Sequence, residues 1–151
     1  MLAVEGQQMV GGILTLWNPQ VMNLVAVEAT RHTLSVNMQI IGNTEMILCT
    51  NVYGPQMLEE KRRMHLDLEY LKPHSNNLHW ILAGDFNIIT TLAKKKGGTR
   101  ILDRDIEEFS KIIDKAELVD LKTKNGQFTW NNKQMNQFQV ATRLDRFLMS
   151  D

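Results

Sequence analysis

Between residues 33 and 84 the apolar pattern changes period twice, and that change restricts the chain to a mixed fold. Residues 33 to 40 alternate strictly, with Leu34, Val36, Met38 and Ile40 on one face and Thr33, Ser35, Asn37 and Gln39 on the other. A period of two marks a half-buried strand. Residues 45 to 53 are apolar on both faces until Asn51, which predicts a more central strand. Pro55 breaks the pattern, and residues 57 to 71 place Met57, Met64, Leu68 and Leu71 along one helical stripe. Glu59 adds a weak pair with Arg63, and Lys72-Pro73 stops the helix. Residues 79 to 84, His-Trp-Ile-Leu-Ala-Gly, return to strand.

The flanking segments repeat the alternation of element types. Residues 12 to 17 and 23 to 27 are short candidate strands, separated by the Asn18-Pro19 turn. With Gly42-Asn43 as another turn, the early strands are expected to pair antiparallel. Residues 92 to 102 read as a polar loop. Asp103 can cap a second helix whose core face is Ile106, Phe109, Ile113 and Ala116. Leu118 to Leu121, Gln127 to Asn131 and Ala141 to Met149 read as further strands. Strands, helix, strand, helix and strands in that order predict an α/β (α+β) sandwich with helices covering sheet faces.

Length and composition narrow the class. A chain of 151 residues suits one domain, here 1–151, and 43% hydrophobic residues rule out a disordered polymer. Seventeen cations balance seventeen carboxylates, so there is no global nucleic-acid footprint, although a local basic strip could serve one. Cys49 is the only cysteine, which excludes an intrachain disulfide. No apolar run reaches membrane-spanning length, and the N-terminus lacks a signal-peptide pattern. The expectation is a soluble, intracellular protein. Nine methionines read as soft core filler rather than a thioether metal site.

Chemistry concentrates where the strand of residues 79 to 84 ends, at Gly84-Asp85-Phe86-Asn87. Period two puts Asp85 and Asn87 on one face and points Phe86 into the core. Gly84 permits close approach of a substrate or a neighbouring chain. A carboxylate can deprotonate water, and a neutral amide can donate to a phosphoryl oxygen as charge builds there. The same residues also suit a strand-end Asx turn, the commoner outcome for such a tetrapeptide.

The surrounding motifs enlarge that choice. They are Gly11-Gly12-Ile13-Leu14 through Trp17-Asn18-Pro19, Val52-Tyr53-Gly54-Pro55, Gly84-Asp85-Phe86-Asn87, Lys95-Lys96-Gly97-Gly98, Leu118-Val119-Asp120, Phe128-Thr129-Trp130 and Arg143-Leu144-Asp145-Arg146-Phe147. In this order the set resembles the endonuclease/exonuclease/phosphatase superfamily, the DNase I-like fold. Within it, the set is most similar to the endonuclease domains of plant non-LTR retrotransposons. The resemblance implies metal-dependent phosphodiester hydrolysis of DNA. By the same resemblance, Asp85 is the general base, Asn87 its partner on the phosphate, and Tyr53 a phosphate contact. Asp145 matches an aspartate that orients a catalytic histidine, and Thr129 a residue lining the site near the DNA backbone. Magnesium is the implied cation. Lys95, Lys96 and Arg100 could form a phosphate-contacting strip, or simply a solvated loop. A reverse transcriptase domain in a longer parent, and a nuclear location, are further implications.

Each residue also has a plainer reading. Tyr53 could pack on Pro55, Phe128 and Trp130 could be core, and Asp145 could join its flanking arginines in a surface ion-pair cluster. The chain departs from the resemblance as well. The asparagine and metal-binding glutamate expected on earlier strands have no match, and Glu5 is not assigned to that role. No Ser-Asp-His segment follows Asp145, since Ser150-Asp151 comes too soon, and no Glu precedes the Lys-Lys-Gly-Gly run. His32, His65, His74 and His79 show no ligand spacing. The expectation is a partial domain lacking the first and last strands, with impaired catalysis. A non-catalytic relic that binds nucleic acid weakly is the alternative, and a phosphoinositide or sphingolipid phosphodiesterase a more distant one.

Overall fold

The computed structural model describes residues 2–5, 12–72, 78–99 and 104–150. Its centre is a six-stranded sheet. The members are β3 (Met22–Ala29), β4 (Thr33–Ile40), β5 (Met46–Tyr53), β6 (Leu78–Asp85), β8 (Leu118–Asp120) and β11 (Asp145–Ser150), in the spatial order β3-β4-β5-β6-β11-β8. The early strands pair antiparallel as expected, while β5 and β6 run parallel. Helix α1 (Leu58–Leu71) makes the crossover between those two. Helix α2 (Arg104–Lys115) lies beside it.

The two helices and one sheet face enclose the core. Met64, Leu68 and Leu71 of α1 and Phe109, Ile112 and Ile113 of α2 meet Val52, Trp80, Leu82 and Leu148 from the strands. The predicted helix stripes therefore hold, with one exception. Met57 is 72% exposed, because α1 begins one residue later and this side chain precedes its first turn. Glu59 lies 4.0 Å from Arg62 rather than pairing with Arg63, whose partner is Glu60. Asp103 falls outside the described residues.

The opposite sheet face carries a smaller layer. β1 (Leu2–Glu5) and β2 (Gly12–Thr15) form an antiparallel hairpin, and β2 packs on β4 and β5. This hairpin covers the apolar row of β4, where Leu34, Val36 and Met38 are buried. The polar row of β4 is not solvated as alternation alone suggests. Thr33 and Ser35 are also buried, because they lie on the helix side of the sheet beside Val52 and Thr50. The Ser35 hydroxyl is satisfied there. Ser35 Oγ lies 2.9 Å from Thr50 Oγ1, which also accepts the indole N–H of Trp80 at 2.9 Å. Beyond the hairpin's reach, Val119, Phe147 and Met149 remain exposed.

The late strand expected over 141–149 is two strands in different sheets. β10 (Ala141–Thr142) joins a three-stranded sheet with β7 (Lys95–Lys96) and β9 (Trp130–Asn131), whereas β11 enters the main sheet. Buried Arg143 sits at the corner between them. The expected 92–102 loop accordingly contains one turn of 3-10 helix and strand β7. The 127–131 strand shrinks to Trp130–Asn131.

Thr50 is central to the buried polar ladder. Thr50→Val should lower unfolding free energy by about 1–3 kcal/mol, because the Trp80 indole and Ser35 hydroxyl lose their shared partner. Urea denaturation at neutral pH measures this.

Candidate active site

Three of the expected site residues form one row across the sheet. Tyr53 ends β5, Asp85 ends β6 and Asp145 begins β11. Tyr53 is the direct partner of Asp85, and Asp85 the direct partner of Asp145. Directly opposed residues place their Cβ atoms about 4.5–5.5 Å apart on one face. That face is the one away from the helices. The parallel β5–β6 pair and antiparallel β11 thus bring two strand ends and one strand start to a single mouth.

Close backbone packing holds the mouth together. Gly84 has φ of +142°, and a Cβ there would meet the Val52 carbonyl oxygen at 1.9 Å. The close neighbour is β5 itself. A Cβ on Gly54 would lie 2.2 Å from the Phe86 carbonyl oxygen. The Gly54 N–H donates to the Asp85 carbonyl at 2.6 Å. Phe86 is fully buried against Phe109, with ring centroids 5.3 Å apart, so it points inward as expected.

Asn87 reaches the site by a different route from the one period two implies. β6 ends at Asp85, and Asn87 adopts φ of +51° beyond it. Its N–H donates to Asp85 Oδ1 at 2.8 Å, forming the Asx turn that the tetrapeptide also permits. Its Nδ2 donates to the Gly54 carbonyl at 2.6 Å. The second N–H and the Oδ1 of this amide have no partner among the described residues.

Tyr53 is 41% exposed, and its hydroxyl makes no hydrogen bond among the described residues, so it does not serve as core packing. Thr129 acts on the backbone. Its Oγ1 accepts the N–H groups of Leu144 and Asp145 at 3.0 and 3.1 Å, which fixes where Asp145 enters the row. Tyr53, Thr129 and Asp145 line one cleft of about 700 Å³ with Asn51, Arg143 and Phe147. Lys95 and Lys96 do not line it; they pair with Thr142 and Ala141 in the three-stranded sheet. Lys95 Nζ donates to the Thr99 carbonyl at 2.7 Å, and Lys96 is exposed. Arg100 lies outside the described residues.

Two expectations require correction. The arginines flanking Asp145 are not a surface cluster. Arg143 and Arg146 are 3% and 0% exposed in their side chains, and both bind Asp120, at 2.7 and 3.2 Å. The sequence hint was the Leu118-Val119-Asp120 motif, which offers a carboxylate but no sign of its partner. Trp130 is not core either. It is 47% exposed, on a strand at the edge of the three-stranded sheet.

Burial pushes the Asp85 carboxyl above the usual carboxylate range, and the negative Asp145 beside it pushes the same way. The N–H of Asn87 opposes them. A like-charge carboxylate pair of hard oxygens suits a divalent cation in donor chemistry, since a cation would relieve the repulsion. The set is partial, because no group of three His, Cys, Asp or Glu residues converges among the described residues.

With this geometry established, the chain can be set beside solved structures. Zebrafish (D. rerio) TDP2 complexed with single-strand DNA product superposes with a TM-score of 0.55 at 14% identity, over 87% of this chain and 54% of that one. The endonuclease domain of TRAS1, a telomere-specific non-LTR retrotransposon, gives 0.55 at 12%, over 86% and 56%. A mannosyl-6-phosphatase of Bacteroides thetaiotaomicron gives 0.54 at 14%, over 89% and 55%. The fold shared with these structures is the DNase I-like fold. This chain spans about half the length of those structures. No family model and no curated protein matches its sequence.

The raised Asp85 carboxyl has a thermodynamic consequence. The folded protein holds this proton more tightly than the unfolded chain, so ionised Asp85 destabilises the fold as pH rises through its folded pKa. Asp85→Asn keeps the acceptor for Asn87 and removes that charge. It should raise Tm at pH 7, and the gain should vanish at pH values where wild-type Asp85 is protonated. Differential scanning calorimetry from about pH 3 to 8 tests both parts.

Proposed function

We propose that the chain is a phosphoesterase domain acting on DNA, with Asp85 preparing the attacking water. The observation that carries this reading is the row of Tyr53, Asp85 and Asp145, opposed in register, with Tyr53 and Asp145 lining one cleft and Asp85 between them in the row. A carboxyl raised by burial is a better proton acceptor near neutral pH than an ordinary aspartate. The Tyr53 hydroxyl and the second N–H of the Asn87 amide can donate to phosphoryl oxygens as charge develops. Asp145 would help hold a divalent cation, magnesium by expectation, which would supply Lewis-acid polarisation of the phosphate and leave Asp85 free as the base.

DNA is favoured as substrate by the charge around the site. Residues 86 to 102 and 121 to 144 contain four cations each and no carboxylate, in a chain with equal totals of both signs, and all but Arg143, which is buried on Asp120, count toward a rim. A local phosphate-binding rim needs no more than this, even in a protein that is not basic overall. Exposed Trp130 stands beside Thr142, which also partners Lys95. An aromatic face next to lysines suits an unpaired base and its backbone. Zebrafish TDP2, similar in fold, is a complex with single-strand DNA product. A nuclear location and a reverse transcriptase domain in a longer parent extend the proposal.

Catalysis in the chain as it stands is proposed to be slow. No imidazole reaches Asp145 among the described residues, and the carboxylate set is partial. These same observations favour a second reading, in which the domain binds nucleic acid without cutting it.

A supercoiled-plasmid nicking assay separates the two. The first reading expects slow nicking that EDTA stops and that Asp85→Ala reduces by about 100-fold or more. Equal nicking by wild type and Asp85→Ala would sink it. Binding is measured separately with a fluorescent single-stranded oligonucleotide. Trp130→Ala should weaken it about tenfold, through loss of one stacking contact. Lys96→Ala should flatten its salt dependence. Unchanged affinity and unchanged salt dependence in both variants would remove DNA from the proposal.

A further inference from the structure

Arg146 stands next to exposed Asp145, yet its own side chain is fully buried. One guanidinium there holds three separate segments. Nη1 donates to Asp120 Oδ2 at 3.2 Å, on β8. Nη2 donates to the Ile88 carbonyl at 2.8 Å and to the Arg143 carbonyl at 2.6 Å. Ile88 directly follows Asn87. Arg143 occupies the corner two residues before Asp145. The same planar group therefore joins the Asp85–Asn87 turn to the start of β11.

Arg143 reinforces the arrangement from the other side. Its Nη2 donates to Asp120 Oδ1 at 2.7 Å and to the Leu121 carbonyl at 2.5 Å. Its N–H donates to the Lys94 carbonyl at 3.0 Å. Two buried arginines thus share one carboxylate, and the Nε atoms of both lack partners among the described residues. Enclosing charge this way is costly, and well-packed apolar residues often stabilise a fold as well or better. Plain stability therefore does not account for the choice of side chain. Geometry does: a rigid fork with donors in one plane can satisfy a carboxylate and two carbonyls at once, which an ammonium on a flexible stem does poorly.

We infer that Arg146 is a positioning residue, which sets the separation between the Asp85–Asn87 turn and Asp145. The inference deepens the phosphoesterase reading and rests on it for its meaning. Its geometry can be tested without turnover.

The test is amide hydrogen exchange on the full chain, comparing wild type with Arg146→Lys, Arg146→Met and Asp120→Asn. The reporters are the Phe86 N–H, which donates to the Leu144 carbonyl at 3.0 Å, and the Asn87 N–H on Asp85. The references are amides inside β4 and β5. Arg146→Lys and Arg146→Met should speed exchange at Phe86 and Asn87 by about tenfold or more, with β4 and β5 within about twofold of wild type. Asp120→Asn should give the same selective pattern at smaller size. Uniform acceleration everywhere would mean that Arg146 only stabilises the fold, and unchanged exchange at Phe86 and Asn87 would mean that it positions nothing. Either result overturns the inference. Should Arg146→Met fail to fold, Arg146→Lys keeps the charge and Asp120→Asn keeps the arginine, so the comparison stands. In nicking, Arg146→Lys should lower kcat with little change in KM. Absence of nicking in wild type would count against the phosphoesterase reading and leave the exchange result intact.

Discussion

The burial of Phe86 is the constraint on which the site depends. Its ring is fully enclosed and rests on Phe109 of α2, so the backbone at 85–87 cannot rotate without opening the core. With Phe86 held inward, Asp85 must face the other side of the sheet. The same peptide then becomes the surface against which Gly54 packs, with no room for a side chain. Tyr53 is placed next to Asp85 as a consequence. Local packing of one aromatic residue thus becomes the register of three strand ends.

This dependence explains which features were legible in the sequence. Apolar periodicity reports burial, so the stripes of α1 and α2, the main strands and the inward Phe86 could all be read from it. Tyr53, Asp85 and Asp145 were found through ordered motifs, and their meeting in one row follows from β5 and β6 being parallel, which no periodicity states. Features set by partners distant in sequence were not legible. Arg143 and Arg146 looked like surface charges because the Asp120 that permits their burial lies 23 and 26 residues away. Trp130 looked like core because aromatic residues usually are, and only a short three-stranded sheet with an open edge leaves it exposed. The break between β10 and β11 was invisible for the same reason. Arg143 turns inward at the corner, and an arginine within an apolar run gives no sign of direction. Met57 lies outside its predicted stripe because periodicity does not say where a helix begins.

Charge is partitioned by depth. The outer rim near the site is cationic, whereas the row at the mouth is acidic. Two arginines lie beneath it. Asp145 adds to the electrostatic cost that burial imposes on ionised Asp85; desolvation opposes the buried Arg146 cation, which Asp120 and Asp145 favour. Neither layer is balanced by itself. The buried arginines outnumber Asp120, and the residual positive charge sits directly behind two carboxylates that repel one another.

The Asx turn at Asp85 sharpens rather than dissolves the functional reading. A turn that merely closes a strand needs one side-chain oxygen to accept one N–H, and Oδ1 of Asp85 does that. It does not need a half-buried carboxylate, because asparagine accepts the same N–H without the charge. Nor does it need the Asn87 side chain to reach across to Gly54, or Arg146 to hold Ile88 from behind. These contacts stabilise one conformation of the turn while Asp85 itself remains electrostatically unfavourable. Holding an ionisable group where a neutral residue would satisfy the backbone equally well is an arrangement that functional sites favour, and it agrees with the proposed role of Asp85.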